Sequence, residues 1–261
     1  MERWKQDVLT LRDEVGVKRY IHGDDWIGKW ERAKPILEFM YSNSIDYDPS
    51  MRANQVTDSV AKEMARIGVR HVSIGMESGS PRLLKLIQKD ITVEDQLLTA
   101  SALARYGIRP LYYWITGFPT ETDEDFKMTV EQADKVAKIH DGKLVQNFYT
   151  YTAMPGSPLF DLVDKDKLPH TMEEWSNYTY NTNDNVRASN LYMIGGMRFH
   201  RGKGEKTDQN FPGWRRAYIL PWEAMIALRW KLRWFSGFSL EKWCIERLLE
   251  IVTLGRQKSR S

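Results

Sequence analysis

Strand-like and helix-like segments alternate about five times over the first 170 residues of the chain. Strands are predicted to begin near residues 17, 50, 69, 109 and 144, with amphipathic helical patterns between them. The repeat of about 30 residues is the size of one strand–helix–strand crossover. Because such crossovers place successive strands parallel, the sequence predicts an α/β fold with a parallel sheet.

Capping signals mark several of the predicted helices. Thr57 or Asp58 caps a helix that runs to Ile67 and ends at Gly68, which is suited to a left-handed C-terminal residue. Ser80 precedes a proline, a pair typical of a helix start. Thr92 with an acid three residues later predicts another start, for a helix over 93–106.

The loops after the predicted strands are polar and rich in glycine. In α/β folds, binding sites lie at the carboxyl ends of the strands. Five such loops suggest one shared mouth, which favours a barrel over an open sheet. Their sequences are HGDDW, RANQ, GMESGS, TGFPTET and TAMPGSP.

Charge divides the chain of 261 residues unevenly. Residues 198–261 carry 14 Lys and Arg against 6 Asp and Glu, a balance of +8 within a total of +3. Polar, glycine-rich sequence precedes this basic end. We therefore predict a barrel-like domain over 1–170, an irregular linker over 171–213, and a basic, tryptophan-rich helical tail over 214–261.

The tail has three interpretations. Its stretch Pro221–Leu254 interleaves aromatic and basic residues. The first interpretation is a helical lid packed on the barrel, the second is a helix on a membrane surface, and nucleic-acid binding is a distant third that we do not adopt. A membrane surface would make a lipid-like substrate plausible.

Cysteine content restricts the chemistry. The chain has one cysteine, Cys244, so it cannot form an internal disulfide or a cluster of thiolates. The first residues lack the apolar core of a secretory signal, and no apolar run reaches the roughly 18 residues needed to cross a bilayer. These features predict a cytoplasmic protein, with the inner membrane face as a possible site of peripheral attachment.

Five segments in order, over about residues 15–165, resemble radical S-adenosylmethionine (SAM) enzymes, within the branch that often carries a cobalamin-binding domain. Val72–Ser80 with Lys85–Thr92 resembles the region of the fourth strand. The other segments resemble the loops after the second, third, fifth and sixth strands, and they are Ile21–Trp26, Arg52–Val56, Ile115–Phe126 and Tyr151–Phe160.

The resemblance implies a partial TIM-like (βα)6 barrel with a C-terminal helical extension. It also implies SAM as cofactor, cobalamin as a possible cofactor, and a 4Fe–4S cluster in the intact enzyme. The family's CxxxCxxC loop is absent from this sequence. We therefore expect a C-terminal part of the barrel with its first strand missing, not redox-active by itself, which needs a missing half or a second chain.

The missing strand predicts an exposed edge. Val17–His22 would lack a neighbour on one side, so the chain alone is expected to be marginally stable or prone to aggregation.

Charged residues at the strand ends are the first candidates for SAM binding. The resemblance implies that Asp24 and Asp25 receive the SAM amino group, although either could cap the following helix. Glu77 would accept from the ribose or the ammonium, with capping of the next helix as its alternative. Lys89 would meet the SAM carboxylate or stabilise a helix end. Arg52 would meet the carboxylate, the substrate or one of the aspartates.

Small and apolar residues complete the predicted cofactor site. Ser78 follows Glu77 and allows close backbone approach. Gly117 and Phe118 lie in the turn after the fifth strand, which contacts adenine in the family. Met154 lies in the sixth loop, which contacts adenine and closes the cavity. No catalytic residue and no metal ligand is assigned.

The reaction stays open at this point. Methylation, cyclisation and rearrangement of a small-molecule substrate are all compatible with the resemblance. The alternative is a cluster-less relic or scaffold that binds SAM or a partner without catalysis.

Overall fold

The computed structural model describes residues 2–21, 27–141, 144–178, 191, 194–195 and 224–236. The chain divides into two compact units. The first comprises Met1–Trp114 and Glu124–Val145, and the second comprises Ile115–Asp123 and Gln146–Ser261. Each is described by itself below, and the predicted boundaries near residues 170 and 213 stay a prediction.

The strands of the first unit are parallel, as predicted. β1 pairs with β2, and β4 lies between β3 and β5. The strands span Arg19–Ile21 (β1), Asp46–Asp48 (β2), Ser50–Arg52 (β3), His71–Glu77 (β4) and Arg109–Thr116 (β5), whose last two residues belong to the second unit.

β2 and β3 are consecutive parts of one extended segment that changes partner at Pro49. Before the proline, Asp48 is in register with Ile21 of β1. After it, Ser50 is in register with Ser73 of β4, whose amide donates to the Pro49 carbonyl at 2.8 Å. The strand predicted to begin at Ser50 is confirmed as β3, whereas β2, directly before it, was not predicted. Within the described residues, β1 pairs with β2 alone.

The helices of the first unit alternate with the strands. They span Glu2–Val15 (α1), Trp30–Ser42 (α2), Asp58–Ile67 (α3), Pro81–Leu86 (α4), Val93–Arg105 (α5) and Asp123–Ile139 (α6). Thr57 caps α3 by accepting from the Val60 amide, and α3 ends at Gly68 with φ +114°. Thr92 forms the predicted capping box with Asp95. The predicted caps are thus confirmed.

The core of the first unit lies between the sheet and its helices. Alternate residues of β4 are buried, and the same alternation continues in β5. The buried Tyr112 of β5 reaches His140, which follows α6, with 2.7 Å between the hydroxyl and Nε2. Burial lowers the pKa of His140 to about 4 and raises that of Tyr112. The imidazole is therefore neutral while it shares a hydrogen bond with the Tyr112 hydroxyl through Nε2.

The second unit contains β6, Val145–Thr150, apart from its first residue, and a short helix α7, Met172–Asn177. The Tyr151 amide donates to the Thr116 carbonyl at 2.8 Å, which joins the chain after β6 to the end of β5. A single 3-10 turn, Phe160–Leu162, follows β6. Thr171 and Glu174 form a capping box for α7, so the predicted irregular linker begins with a helix.

Part of the tail belongs to the described residues. Residues 224–231 are helical, and the chain then turns at Arg233, which has φ +55°. Trp230 packs on Phe148 of β6, with 5.6 Å between ring centroids. The rest of the predicted helix over Pro221–Leu254 lies outside the described residues. No helix in the part of the chain that the structure describes is long and apolar enough to span a membrane.

Candidate functional site

The end of β4 is a strained turn centred on Glu77. Glu77 has φ +64°, and the Ser78 amide donates to the Met76 carbonyl at 2.8 Å. A bond between residues i and i+2 with positive φ between them is the pattern of the classic γ-turn, which is rare and strained. The register with β5 also shifts between Gly75 and Glu77, so a bulge precedes the turn. Non-glycine residues held in this region cluster at functional sites.

Gly75 leaves space for the Glu77 carboxylate. A Cβ atom added at Gly75 would lie 2.6 Å from Glu77 Oε1. The carboxylate therefore folds back over the strand, and its side chain is only 9% exposed. Glycine at residue 75 is required for this placement because any larger residue would displace the carboxylate.

Lys89 is the ion-pair partner of Glu77. Its Nζ lies 3.0 Å from Glu77 Oε1, and its side chain is 40% exposed. Gln88 and Asp90, on either side, both have φ +52°. The Asp90 carbonyl accepts from Asn54 Nδ2 at 2.7 Å, which ties this turn to the segment after β3. Lys89 thus lies in a turn between two residues with positive φ, beside the end of β4.

The start of α4 tests one of the two alternatives for Glu77, and its predicted contact with SAM stays a prediction. Ser80, not Glu77, caps α4, because its hydroxyl accepts from the Leu83 amide. The capping alternative for Glu77 is therefore wrong.

Arg52 ends β3 at the same edge of the sheet. Its Cα is in register with Gly75, two residues before Glu77. Its side chain is half-buried. Three predicted site residues, Arg52, Glu77 and Lys89, are therefore brought to neighbouring strand ends within the first unit.

Ser78 is buried and its hydroxyl is engaged within the protein. The Ser78 and Thr129 hydroxyls lie 3.0 Å apart, and Ser78 Oγ accepts from the Ser80 amide. The Gly79 amide donates to Thr129 Oγ1 at 3.0 Å. The structure therefore ties Ser78 to α6, and its predicted contact with a cofactor stays a prediction.

Three residues that support the turn were not predicted. Gln96 of α5 donates to two carbonyls beside Glu77, Thr129 of α6 holds Ser78 and Gly79, and Asp125 of α6 accepts from Ser80 and Arg82. All three are buried. Each is a polar residue on the apolar face of its helix, and that pattern in the sequence could have identified them.

The turn after β5 carries the predicted residues of the second unit. Gly117 has φ +79°, and its amide donates to Glu121 Oε2 at 2.8 Å. Phe118 is buried against Tyr151, with 5.4 Å between ring centroids. Met154 is about half exposed. The predicted cofactor contacts of Phe118 and Met154 stay predictions.

Asp24 and Asp25 lie outside the described residues. The N-cap position of α2 is occupied by Lys29, without a side-chain hydrogen bond. Neither aspartate therefore holds the N-cap position of α2, and the predicted contact with the SAM amino group stays a prediction.

A groove of about 540 Å³ lies near the candidate site, between α4 and the start of α5. Gln88 and Asp90 line it, but Arg52, Glu77 and Lys89 do not. The groove is therefore separate from the ion pair.

Metal ligands are not grouped in the described part of the chain. No set of three or more His, Cys, Asp or Glu side chains there could hold a metal ion. The one cysteine, Cys244, lies outside the described residues.

Comparison with known proteins identifies a matching family. The model of the radical SAM superfamily matches residues 22–133. An uncharacterized methyltransferase of Pyrococcus horikoshii is 31% identical over 182 residues, which cover 69% of this chain and 38% of that protein. A tRNA-2-methylthio-N(6)-dimethylallyladenosine synthase of Acidithiobacillus ferrooxidans is 33% identical over 174 residues, which cover 65% of this chain and 35% of the synthase. The chain thus spans less than half the length of these relatives.

A solved structure shares the fold. The apo form of OxsB, a cobalamin-dependent S-adenosylmethionine radical enzyme, superimposes with a TM-score of 0.57 at 14% identity. The match covers 95% of this chain and 44% of that enzyme. The predicted α/β fold with parallel strands is confirmed.

Proposed function

Because this chain belongs to the radical SAM superfamily, we propose that it binds S-adenosylmethionine at the end of β4. The observation that carries the proposal is the Glu77–Lys89 ion pair, held by one strained turn and flanked by two further left-handed residues. A protein that only needed to end a strand here would use glycine at residue 77, because glycine adopts positive φ without strain.

The charges of the pair match those of the ligand. The methionine part of SAM carries an ammonium and a carboxylate on one carbon. Glu77 can accept from the ammonium, and Lys89 can donate to the carboxylate. Lys89 is 40% exposed, so its ammonium can move into solvent, whereas the Glu77 side chain is only 9% exposed and its carboxylate needs a cation beside it. The SAM ammonium would supply that cation. SAM would then insert between two side chains that are already adjacent.

The residues of this chain do not fit a 4Fe–4S cluster. Such clusters are held by several cysteine thiolates, and the sequence has one cysteine. We derive no reaction step through a cluster, and the function proposed for the chain itself is SAM binding. The missing half or second chain remains a prediction.

We place methyl-group transfer first among the possible reactions. One relative is named as a methyltransferase and another as a synthase of a methylthio group. Both names support a reaction that moves a one-carbon or methylthio group, in preference to cyclisation or rearrangement. Use of cobalamin remains a prediction from the family resemblance.

Calorimetric titration with SAM tests the binding proposal. Glu77→Gln and Lys89→Met each remove one charge of the pair, and we expect each to weaken SAM binding at least about tenfold. Glu63→Gln is the matched control because it removes a glutamate from an exposed ion pair with Arg66 on α3. No binding by the folded wild-type chain, or equal weakening in all three variants, would contradict the proposal.

We further propose that the tail binds a membrane surface rich in anionic lipid. Leu228, Leu232 and Trp234 are each more than half exposed, although Trp230 and Phe235 beside them are buried. Lys231 and Arg233 lie in the same stretch, within the region of charge +8. An exposed apolar strip with basic neighbours suits the interface of an anionic bilayer.

Vesicle co-sedimentation of the full chain tests this second proposal. We expect binding to vesicles of phosphatidylcholine with phosphatidylglycerol, weakened by salt and by Leu232→Ser. Met172→Ser is the control because Met172 is 85% exposed but lies in α7, outside the strip. Equal binding by both variants, or binding to a tRNA preparation without binding to vesicles, would overturn the membrane proposal.

A further inference from the structure

Gln96 connects α5 to the strained turn at the end of β4. Its side chain is fully buried. Nε2 donates to the Met76 carbonyl at 2.7 Å and to the Ser78 carbonyl at 2.9 Å. These two carbonyls are those of the residues on either side of Glu77. One amide group therefore spans the turn that sets the direction of the Glu77 side chain.

The chemistry of the amide suits this position. A bulge precedes Glu77 and shifts the register with β5. The Met76 carbonyl already accepts from the Ser78 amide, and Gln96 adds a second donor to it as well as a donor to the Ser78 carbonyl. Such pairing of buried acceptors is favourable. The NH2 group of glutamine supplies two N–H bonds without a charge. A lysine or arginine could donate as well, but it would bring a buried cation close to the Glu77–Lys89 pair.

Side chains of α6 hydrogen-bond to residues 78–80, which follow Glu77 in the loop after β4. Thr129 bonds to Ser78 and Gly79, and Asp125 bonds to Ser80. Gln96 also reaches Met76, the residue before Glu77. The left-handed conformation of Glu77 is thus restrained from α5.

We propose that Gln96 is a positioning residue for the SAM site. By holding the carbonyls of Met76 and Ser78, it keeps Glu77 left-handed and its carboxylate over Gly75, beside Lys89. This inference rests on the proposed function for its effect on SAM, but its effect on the turn can be measured without ligand.

The test uses Gln96→Met, which keeps the length of the side chain and removes its donors. Gln132→Met is the matched control because Gln132 is also buried and donates from Nε2, but to Val93 rather than to the turn. Amide hydrogen exchange of Ser78 is the first measurement, since this amide closes the γ-turn. We expect exchange at Ser78 to rise at least about tenfold in Gln96→Met and to stay unchanged in Gln132→Met.

A rescue variant separates positioning from general loss of packing. In the double variant with Glu77→Gly, the left-handed residue no longer carries strain. We expect the protection of the Ser78 amide to return in this background. If Gln96→Met does not fold, Gln96→Asn, which keeps the amide but shortens its reach, takes its place with the same expectation.

Titration with SAM is the second measurement. We expect Gln96→Met to weaken SAM binding at least about tenfold and Gln132→Met to leave it unchanged. If the wild-type chain binds no SAM, the proposed function fails, but the exchange of Ser78 still decides the role of Gln96. Equal exchange of Ser78 in the two methionine variants would overturn the positioning role.

Discussion

The carboxyl ends of β4 and β5 are held in different ways. Three buried side chains that are distant in the sequence, Gln96, Asp125 and Thr129, hold the loop after β4. The turn after β5 is held locally, by Glu121, whose carboxylate accepts from the amide of Gly117. Both turns contain a left-handed residue, but only the first places a carboxylate there.

The two turns differ in the backbone strain of their left-handed residue. Gly117 adopts φ +79° at little cost because glycine has no Cβ. Glu77 adopts φ +64° at a cost of about 1–3 kcal/mol. Long-range buried hydrogen bonds offset that cost at the end of β4. The turn after β5, which has glycine at the left-handed position, is stabilised by the nearby residue Glu121.

The largest loss of stability is expected from Gly79→Ala, which tests how tightly the loop after β4 packs on α6. A Cβ added at Gly79 would lie 2.4 Å from the Met128 carbonyl oxygen and 2.7 Å from Thr129 Cα. Because both are backbone atoms, Gly79→Ala is expected to lower the free energy of unfolding by about 3 kcal/mol or more. Urea denaturation measures this loss.

Gly156→Ala is the control for that substitution. Gly156 has φ +83° and no atom within 4 Å of an added Cβ, so its loss should be limited to about 1 kcal/mol of backbone strain. Equal losses in the two variants would show that the close packing of Gly79 is not the cause.

A pH titration probes the attachment of α6 to β5. His140 Nε2 is hydrogen-bonded to the Tyr112 hydroxyl, and burial lowers the pKa of His140 from 6.5 to about 4. Between these values the unfolded chain binds a proton that the folded chain does not, so stability falls as the pH falls. We expect a loss of about 2 kcal/mol between pH 7.5 and pH 5 from this group.

Urea denaturation at a series of pH values measures this dependence, with His140→Gln as comparison. The variant removes the titrating group, so its stability curve should be flatter than that of the wild type over this range. Parallel curves would mean that His140 is protonated in the folded protein.

The smallest predicted effect concerns the turn after β5. Glu121→Ala removes the acceptor for the Gly117 amide. Because the amide is only partly buried and water can replace the carboxylate, the expected loss is below about 1 kcal/mol. Thermal denaturation beside Glu124→Ala, which removes an exposed glutamate of α6, measures the difference. If Glu121→Ala lowered the free energy of unfolding as much as Gly79→Ala does, the turns after β4 and β5 would not differ in how strongly they stabilise the fold.

Local signals in the sequence predicted the helices well. The predicted helix over 58–67 has the observed bounds, and that over 93–106 ends one residue late. Thr57 and Thr92 mark these helices because a cap bonds to residues within the next turn. β2 was not predicted because Asp46–Asp48 is polar and becomes a strand only through pairing with β1.

The candidate site was predicted in part. The family resemblance pointed to Glu77 and Lys89 separately, as contacts of SAM. Their ion pair, with 3.0 Å between Lys89 Nζ and Glu77 Oε1, was not predicted. Gln96, Asp125 and Thr129 escaped prediction because their partners lie about 18 to 50 residues away along the chain. The sequence shows that these residues are polar on an apolar face, but the sequence alone does not show what they contact.

The neighbours of each strand in the first unit have a consequence for synthesis on the ribosome. β1 pairs with β2, the segment continues through Pro49 into β3, β3 pairs with β4, and β4 pairs with β5. Each new strand therefore finds its partner already made when it leaves the ribosome, and no strand waits for one that is translated much later. A nascent chain with this order can add one strand and one helix at a time, which shortens the period in which an apolar edge is exposed.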